Sequence, residues 1–275
     1  MLHLSYLAYV GRIIDEPPGK GRAMRHILVV DPSRSFTRYV EVVVTRLGYR
    51  CLSAGSGGDG LQILKSRMPD MILCETALPD MTGGELLERI RSSQRTKHIP
   101  VIALTTDSQT IKMAGREASV FDEVLLKPIT VRDLFETVQV HIHSNTRRKN
   151  LRAPMSIVIT CKDGTEHRSH ITMSIGEGGM FVETETPREI GRIIDIDLPL
   201  PGLEESVAVQ GEIIYSVGSE RPHHPPGMGV KFINMDEETR MLLCSYMENY
   251  LEGMYPGTGR RSLIGLTEQG DAASA

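Results

Sequence analysis

The sequence predicts an α/β domain built on a five-stranded parallel sheet, followed by a β-rich domain that ends in a helix. Three observations support this fold class. Five short apolar runs alternate with helical patterns between residue 25 and about residue 143. Strand-like runs separated by turns that contain glycine fill about half of residues 156–233. A chain of 275 residues is also long enough for two domains, each with its own core.

In the first domain, each apolar run has the length of a buried strand. These runs are Ile27–Val30, Tyr49–Ser53, Met71–Cys74, Val101–Leu104 and Val124–Leu126. The segments with helical spacing are Ser35–Leu47, Asp59–Ser66, Gly84–Arg91, Ser108–Glu117 and Thr130–His143. This alternation predicts a doubly wound sheet of parallel strands with helices on both faces.

Polar residues follow four of the five runs, at the carboxyl edge of the predicted sheet, where chemistry gathers in such folds. They are Asp31, Glu75, Thr105 and Lys127. Their segments resemble the receiver domain of bacterial response regulators. Those segments are Val29-Val30-Asp31-Pro32-Ser33, Glu75-Thr76-Ala77-Leu78-Pro79-Asp80-Met81, Leu104-Thr105-Thr106 and Leu126-Lys127-Pro128. The resemblance implies four family positions. Asp31 takes the place of one of two metal-binding acids, Glu75 that of the phosphoacceptor, Thr105 that of the switch hydroxyl and Lys127 that of the family's lysine.

Two departures from that family predict that its usual chemistry is lost. Pro32 stands where the second metal-binding acid belongs and brings no side-chain oxygen. Glu75 stands where the phosphorylated aspartate belongs, and its longer side chain displaces the carboxylate from the in-line position. Because Mg²⁺ needs near-octahedral oxygen ligands, we expect neither a bound metal nor phosphorylation.

The remaining pocket leaves two interpretations open. A Glu75–Lys127 ion pair either mimics the phosphorylated form constitutively or only neutralises two charges in a relic pocket. A carboxylate carries less charge and fewer acceptor oxygens than a phosphoryl group, which favours the second interpretation. In both, the first domain acts as a docking or dimerisation module and not as a switch.

The second domain has the punctuation of a β structure. Its strand candidates are Ser156–Cys161, Glu166–Thr172, Met180–Glu183, Ile193–Leu198, Val207–Val217 and Gly229–Ile233. Asp163-Gly164 separates the first two as a hairpin turn would. The segment Glu237–Leu251 has one apolar helical face, and Gly253 is a suitable helix stop. Such a face is typical of core packing or a dimer contact.

An arginine-rich segment and a glycine-rich segment frame the start of this domain. Arg147, Arg148 and Arg152 come first, and Ser174-Ile175-Gly176-Glu177-Gly178-Gly179 follows. Guanidinium groups bind phosphate as rigid forks and stack on bases. Glycines allow backbone N–H groups to approach an anion closely. The pair therefore favours a planar ligand that carries phosphate.

These residues resemble the PilZ domain, a small β-barrel that binds the bacterial second messenger cyclic di-GMP. Arg148 and Arg152 match the Arg-x-x-x-Arg element of that family. In its Asp/Asn-x-Ser-x-x-Gly element, Ser174 takes the first position, Gly176 the serine position and Gly179 the glycine position, so the acidic or amide side chain is missing. The resemblance implies ligand-binding roles for Arg147, Arg148, Arg152, Ser174, Gly176 and Gly179.

We expect a domain boundary in the short Ser144-Asn145-Thr146 joint. This gives a receiver-like domain at 24–143 and a PilZ-like domain at 144–255. Residues 1–23 are expected to be a disordered extension or a mis-called start, with Met24 as a natural initiator. Residues 256–275, rich in Gly, Ser and Ala, are expected to be disordered.

Composition excludes several classes of function. A net charge of -4 and a pI near 6.2 argue against sequence-independent binding of nucleic acid. The four cysteines lack zinc-ligand spacing, and no apolar run approaches the ~20 residues that a membrane span requires. This composition is typical of a cytoplasmic protein. Since no nucleophile–base pair, metal cluster or phosphate-loop motif occurs in the sequence, we also expect that the protein is not an enzyme.

The sequence therefore predicts a non-enzymatic signalling protein that responds to cyclic di-GMP. The alternative is a ligand-independent protein–protein adaptor in which both domains have lost their small-molecule chemistry. The missing acid in the glycine-rich segment favours the adaptor, whereas the intact arginine pair opposes it. A phospho-responsive regulator is a third, less favoured hypothesis. We expect a protein partner that the sequence does not identify, and the sequence allows a homodimer without fixing the oligomeric state.

Overall fold

The computed structural model describes residues 24–107, 121–143, 150–218 and 225–253. Its first domain contains a parallel sheet with the strand order β2-β1-β3-β4-β5. The strands are β1 (His26–Val30), β2 (Arg50–Ala54), β3 (Met71–Glu75), β4 (Val101–Thr105) and β5 (Glu123–Leu126). The helices are α1 (Arg34–Arg46), α2 (Gly57–Ser66), α3 (Gly83–Ser92) and α4 (Val131–His141). The predicted doubly wound fold is confirmed, and its predicted helix at Ser108–Glu117 lies outside the described residues.

The central strands are apolar throughout because helices cover both faces of the sheet. Residues 27–30 of β1 and 101–104 of β4 are at most 1% exposed. Each described helix of this domain begins at a hydroxyl side chain that accepts a free backbone N–H. The Ser33 hydroxyl accepts from Phe36, and Thr130 forms a reciprocal capping box with Asp133 at the start of α4.

The second domain is a closed antiparallel barrel. Its strands are β6 (Arg152–Pro154), β7 (Val158–Asp163), β8 (Glu166–Gly176), β9 (Gly179–Glu183), β10 (Ile193–Leu198), β11 (Val207–Val217) and β12 (Gly227–Ile233). Six strands close in the order β8-β7-β10-β11-β12-β9, with β9 pairing back onto β8. The short β6 pairs with the last residues of β8. The helix α5 (Glu237–Glu252) follows, so the predicted barrel with a C-terminal helix is confirmed.

The glycine-rich segment differs from its predicted form. We expected Ser174 to Gly179 to be one turn between strands. Instead β8 continues to Gly176 and β9 begins at Gly179, so only Glu177 and Gly178 connect the two strands. The reason is that β6, which was not predicted as a strand, pairs with this end of β8 and extends it.

Helix α5 joins the two domains. Its buried side chains Leu243, Tyr246, Met247 and Leu251 belong to one apolar cluster with residues of α1, α4 and the barrel interior. The apolar face predicted for this helix is therefore core packing. The helix ends at Gly253, whose φ of +87° is the left-handed conformation of a helix stop.

His143, which follows α4, is buried. It is 6% exposed, and its ring nitrogen Nε2 lies 2.7 Å from the hydroxyl of Tyr49. Arg25, also buried, lies 3.2 Å from Nδ1 of the same ring and donates to the carbonyl of Ile142 at 2.8 Å. The end of α4 is thus tied to the sheet by polar contacts that helical spacing alone does not reveal.

Candidate functional site

Three charged side chains meet at the carboxyl edge of the parallel sheet. Lys127 Nζ lies 2.5 Å from Asp31 Oδ2 and 2.5 Å from Glu75 Oε2. The exposed fractions of these side chains are 14% for the lysine, 1% for the aspartate and 13% for the glutamate. The structure therefore brings together three of the four residues predicted for this pocket, in a cluster that is buried at Asp31 and partly buried at Glu75 and Lys127.

The longer side chain of Glu75 turns its carboxylate back onto the following backbone. Oε1 accepts the backbone N–H of Thr76 at 2.8 Å and the Thr76 hydroxyl at 3.1 Å. Oε2 is occupied by Lys127. Both carboxylate oxygens are engaged by the protein itself, and a nucleophilic role would require these contacts to break.

Thr105, the fourth predicted residue, supports the pocket mainly through its backbone. Its hydroxyl accepts the N–H of Asp107 at 3.1 Å. Its carbonyl accepts the N–H of Lys127 at 2.8 Å, which fixes the start of the segment between β5 and α4. Thr105 is therefore next to Lys127 along the sheet edge, with its side chain bound locally.

Lys127 is held in its charged form. Burial lowers the pKa of Lys127, but hydrogen bonds and attraction from Asp31 and Glu75 outweigh burial and raise it above its ordinary value. The ammonium also lies 4.1 Å from the centre of the Phe36 ring, a favourable cation–π geometry. In the part of the chain that the structure describes, no group of three or more His, Cys, Asp or Glu is placed to hold a metal ion.

The second predicted site lies where β6, β8 and β9 pair side by side. Arg152 is opposite Gly176, and Gly176 is in turn opposite Gly179. Directly opposed residues on adjacent strands share a face and are about 5 Å apart. Since Leu151 and Ala153 are fully buried in the core, Arg152 faces the outside of the barrel. Arg147 and Arg148 lie outside the described residues.

Two glycines of this face are packed closely against neighbouring backbone. A Cβ on Gly176 would lie 2.7 Å from the carbonyl oxygen of Leu151. A Cβ on Gly179 would lie 2.2 Å from the carbonyl oxygen of Val230 in β12. Both positions need glycine because neighbouring backbone occupies the space of a side chain.

Ser174 lies one strand repeat away from Gly176 on the same face, opposite Pro154 and Phe181. It is 3% exposed. A serine hydroxyl here can donate or accept one hydrogen bond, but it brings no negative charge and is shorter than an aspartate or asparagine. The structure thus places Arg152, Ser174, Gly176 and Gly179 together on one outer face.

Sequence reasoning missed Glu177 and Arg132. Glu177 connects β8 to β9, and its Oε1 accepts from Arg132 of α4 at 2.5 Å. Its Oε2 accepts the backbone N–H of Leu151, next to Arg152, at 3.2 Å. Arg132 also donates to Glu248 of α5 at 2.9 Å. The two residues are 45 positions apart, and no local pattern links them.

The two halves of the chain match two known families. Residues 27–139 match the response regulator receiver domain, and residues 146–249 match the PilZ domain. The transcriptional regulatory protein AfsQ1 of Streptomyces coelicolor is 31% identical over 173 residues, which are 63% of this chain and 72% of AfsQ1. This chain belongs to the response regulator family and carries a PilZ domain behind its receiver domain.

Other relatives match the length of a single domain. Protein PilH of Pseudomonas aeruginosa is 30% identical over 116 residues, which are 42% of this chain and 95% of PilH. The crystal structure of a putative response regulator from Chloroflexus aurantiacus is 30% identical, with a TM-score of 0.41. It covers 44% of this chain and 98% of its own.

A receiver domain and a PilZ domain together indicate a signalling protein that binds cyclic di-GMP. The outer face of β6, β8 and β9 lies within the PilZ domain, and the cluster around Lys127 lies within the receiver domain. Arg132 of the receiver domain and Glu177 of the PilZ domain form an ion pair between the two domains. Among the described helices, none has the length and apolar character needed to cross a membrane.

Proposed function

We propose that this response regulator is a non-enzymatic effector in which cyclic di-GMP, bound at the PilZ domain, is the regulatory input. The receiver domain (24–143) then serves as a docking or dimerisation module for the PilZ domain (144–255). The observation that carries the proposal is the placement of Arg152, Gly176 and Gly179 side by side on one outer face of the barrel.

The ligand chemistry follows from these groups. Arg148 and Arg152 would grip the phosphate oxygens as forks and stack on the guanine planes, while Arg147 adds positive charge nearby. The glycine-rich connection allows the ligand to approach the backbone, and the Ser174 hydroxyl would offer one hydrogen bond. Because serine replaces the family's acid or amide, we expect fewer contacts to the guanine edge than in the complete motif.

The receiver half of the proposal rests on the cluster around Lys127. Both oxygens of Glu75 have protein partners, and Asp31 is held by Lys127 and by the backbone N–H of Ser33 at 2.8 Å. Pro32 adds no oxygen ligand. The pocket therefore favours neutralised carboxylates over a bound Mg²⁺ and a phosphoryl group. Such a receiver keeps the fold and surface of the family but does not respond to phosphorylation. We also propose that the protein is cytoplasmic.

A ligand-independent adaptor is the second candidate function, and one observation favours it. Ser174 stands where the family has an acid or amide, and it is almost fully buried. If the hydroxyl serves only the barrel, the outer face of β8 would contact a protein instead of a nucleotide. This hypothesis and the first differ in whether cyclic di-GMP binds at all.

Calorimetric titration of the full chain with cyclic di-GMP separates the two. The effector hypothesis predicts binding in the micromolar range or tighter that is lost in an Arg148→Ala/Arg152→Ala variant. Arg38→Ala is the matched control, because Arg38 lies exposed on α1 and forms an ion pair with nearby Glu41. Absence of heat with the wild-type chain at high ligand concentration would leave the adaptor as the function.

A further inference from the structure

We propose that Arg132 of the receiver domain is a positioning residue for the cyclic di-GMP site of the PilZ domain. Arg132 neutralises Glu177, which lies in the connection between β8 and β9. This reduces the electrostatic repulsion between that connection and an anionic ligand. This inference rests on the proposed function and deepens it. It means that the ligand site is incomplete without the receiver domain.

Glu177 is the feature that needs an explanation. It lies between Gly176 and Gly178, one residue from a proposed ligand contact on one side and two from Gly179 on the other. Its side chain is 11% exposed and accepts the backbone N–H of Leu151, next to Arg152. An uncompensated carboxylate here would repel a ligand with two phosphate groups, because screening is weak within about 8–10 Å.

The compensating charge comes from the other domain. The Arg132 guanidinium lies 2.5 Å from Glu177 Oε1 and 2.9 Å from Glu248 Oε1. Cys244 of α5 also faces Glu177, but burial and that carboxylate raise the pKa of its thiol, which therefore stays neutral. Among the described residues, Arg132 is the cation that the structure pairs with Glu177.

The backbone around Arg132 is fixed by contacts at the start of α4 and by the salt bridges of Lys127. Arg132 lies in the first turn of α4, where Thr130 and Asp133 form a capping box. Five residues earlier, Lys127 is pinned by Asp31 and Glu75. The segment between β5 and α4 is thus fixed at both ends, so the guanidinium meets Glu177 without a large loss of conformational freedom on ligand binding.

The test is a double-mutant cycle on the full chain, with cyclic di-GMP affinity measured by calorimetry and folding checked by thermal melting. Arg132→Ala should weaken binding by about fivefold or more, the effect of one unpaired charge near a dianion. Arg132→Lys, which keeps the charge, should restore most of the affinity. Glu177→Gln should bind at least as tightly as wild type, and Arg132→Ala in that background should have no further effect.

Glu248→Gln is the matched control. It removes the second partner of the same guanidinium without changing the glycine-rich connection, so affinity should stay within about twofold of wild type. The inference is overturned if wild type binds and Arg132→Ala binds equally well. It is also overturned if Arg132→Ala weakens binding by the same factor with and without Glu177→Gln, since that result marks a structural role. Failure of wild type to bind would overturn the proposed function and this inference together.

Discussion

Lys127 lies between the carboxylates of Asp31 and Glu75. Among the described residues, it is the salt-bridge partner of both. An exposed ion pair contributes little to stability. Removing one partner of a buried pair is strongly destabilising, because the other charge stays buried without compensation. In this cluster, removal of the lysine leaves one buried and one partly buried carboxylate close to each other without their shared cation. The residue therefore has a structural role that does not depend on phosphorylation.

Lys127→Ala should lower the free energy of unfolding by about 3 kcal/mol. Urea denaturation followed by circular dichroism measures this change. Lys65→Ala is the control, since Lys65 is exposed on α2 and should change stability by less than about 0.5 kcal/mol. Adding Glu75→Gln to Lys127→Ala should recover part of the loss, and a double variant as unstable as the single one would argue against this electrostatic account.

The same cluster predicts a pH dependence of stability. The pKa of Lys127 is higher in the folded protein than in the unfolded chain. Its stabilisation is therefore complete below about pH 10.4, the ordinary lysine pKa, and is lost as pH rises through the higher folded pKa. The stability difference between wild type and Lys127→Ala should be constant from neutral pH to about pH 10 and should shrink above it. Denaturation series at pH 7, 9 and 11 measure it.

A third prediction at this scale concerns the metal. Wild-type protein should give no heat with Mg²⁺ in calorimetry, since Lys127 occupies the carboxylates and Pro32 brings no ligand. A Pro32→Asp/Glu75→Asp variant, which restores the family's acid and its shorter phosphoacceptor, should gain measurable Mg²⁺ binding. Metal binding by the wild type with an affinity equal to that of the variant would show that the pocket is not degenerate.

At the scale of elements, helix α5 is the structural link between the domains. It carries buried side chains on one face and exposed ones on the other, and its buried face belongs to the cluster that includes α1 and α4. Tyr250 adds a hydrogen bond from its hydroxyl to the carbonyl of Pro154 in β6 at 2.9 Å. The helix thus contacts both the receiver domain and the strand that bears Arg152.

Two substitutions on this helix test that role. Leu243 is fully buried, and Leu243→Ala should lower the free energy of unfolding by about 2–5 kcal/mol. Met241 is 65% exposed two residues earlier, and Met241→Ala should change it by less than about 0.5 kcal/mol. Equal effects of the two, measured by chemical denaturation, would contradict the packing described for α5.

Local patterns predicted the strands and helices well where apolar periodicity was strong. They failed at β6, because the three residues Arg152–Pro154 are too few to show an alternating pattern and include a proline, which is disfavoured in strands. This segment forms a strand by pairing with β8. They also gave no indication that His143 is buried, since its partners Arg25 and Tyr49 are distant in sequence. The pocket around Lys127 was predictable from the ends of parallel strands, whereas the Arg132–Glu177 pair depends on how two domains pack.

At the scale of the whole molecule, the two domains share an apolar cluster and a polar link. The cluster contains side chains of α1, α4, α5 and the barrel interior. The link runs from Glu177 through Arg132 to Glu248. A ligand that alters the Glu177 connection would therefore change the contacts of α4 and α5 as well. Under the proposed function, the nucleotide and not phosphorylation is the input that this arrangement transmits.

Hydrogen–deuterium exchange of the full chain, with cyclic di-GMP in one sample and acetyl phosphate plus Mg²⁺ in another, tests this claim most directly. We predict that the nucleotide slows exchange in residues 150–180 and changes it in α4, while acetyl phosphate and Mg²⁺ change neither. Two findings together would contradict the account. Acetyl phosphate and Mg²⁺ would alter exchange and phosphorylate Glu75, and cyclic di-GMP would leave exchange unchanged.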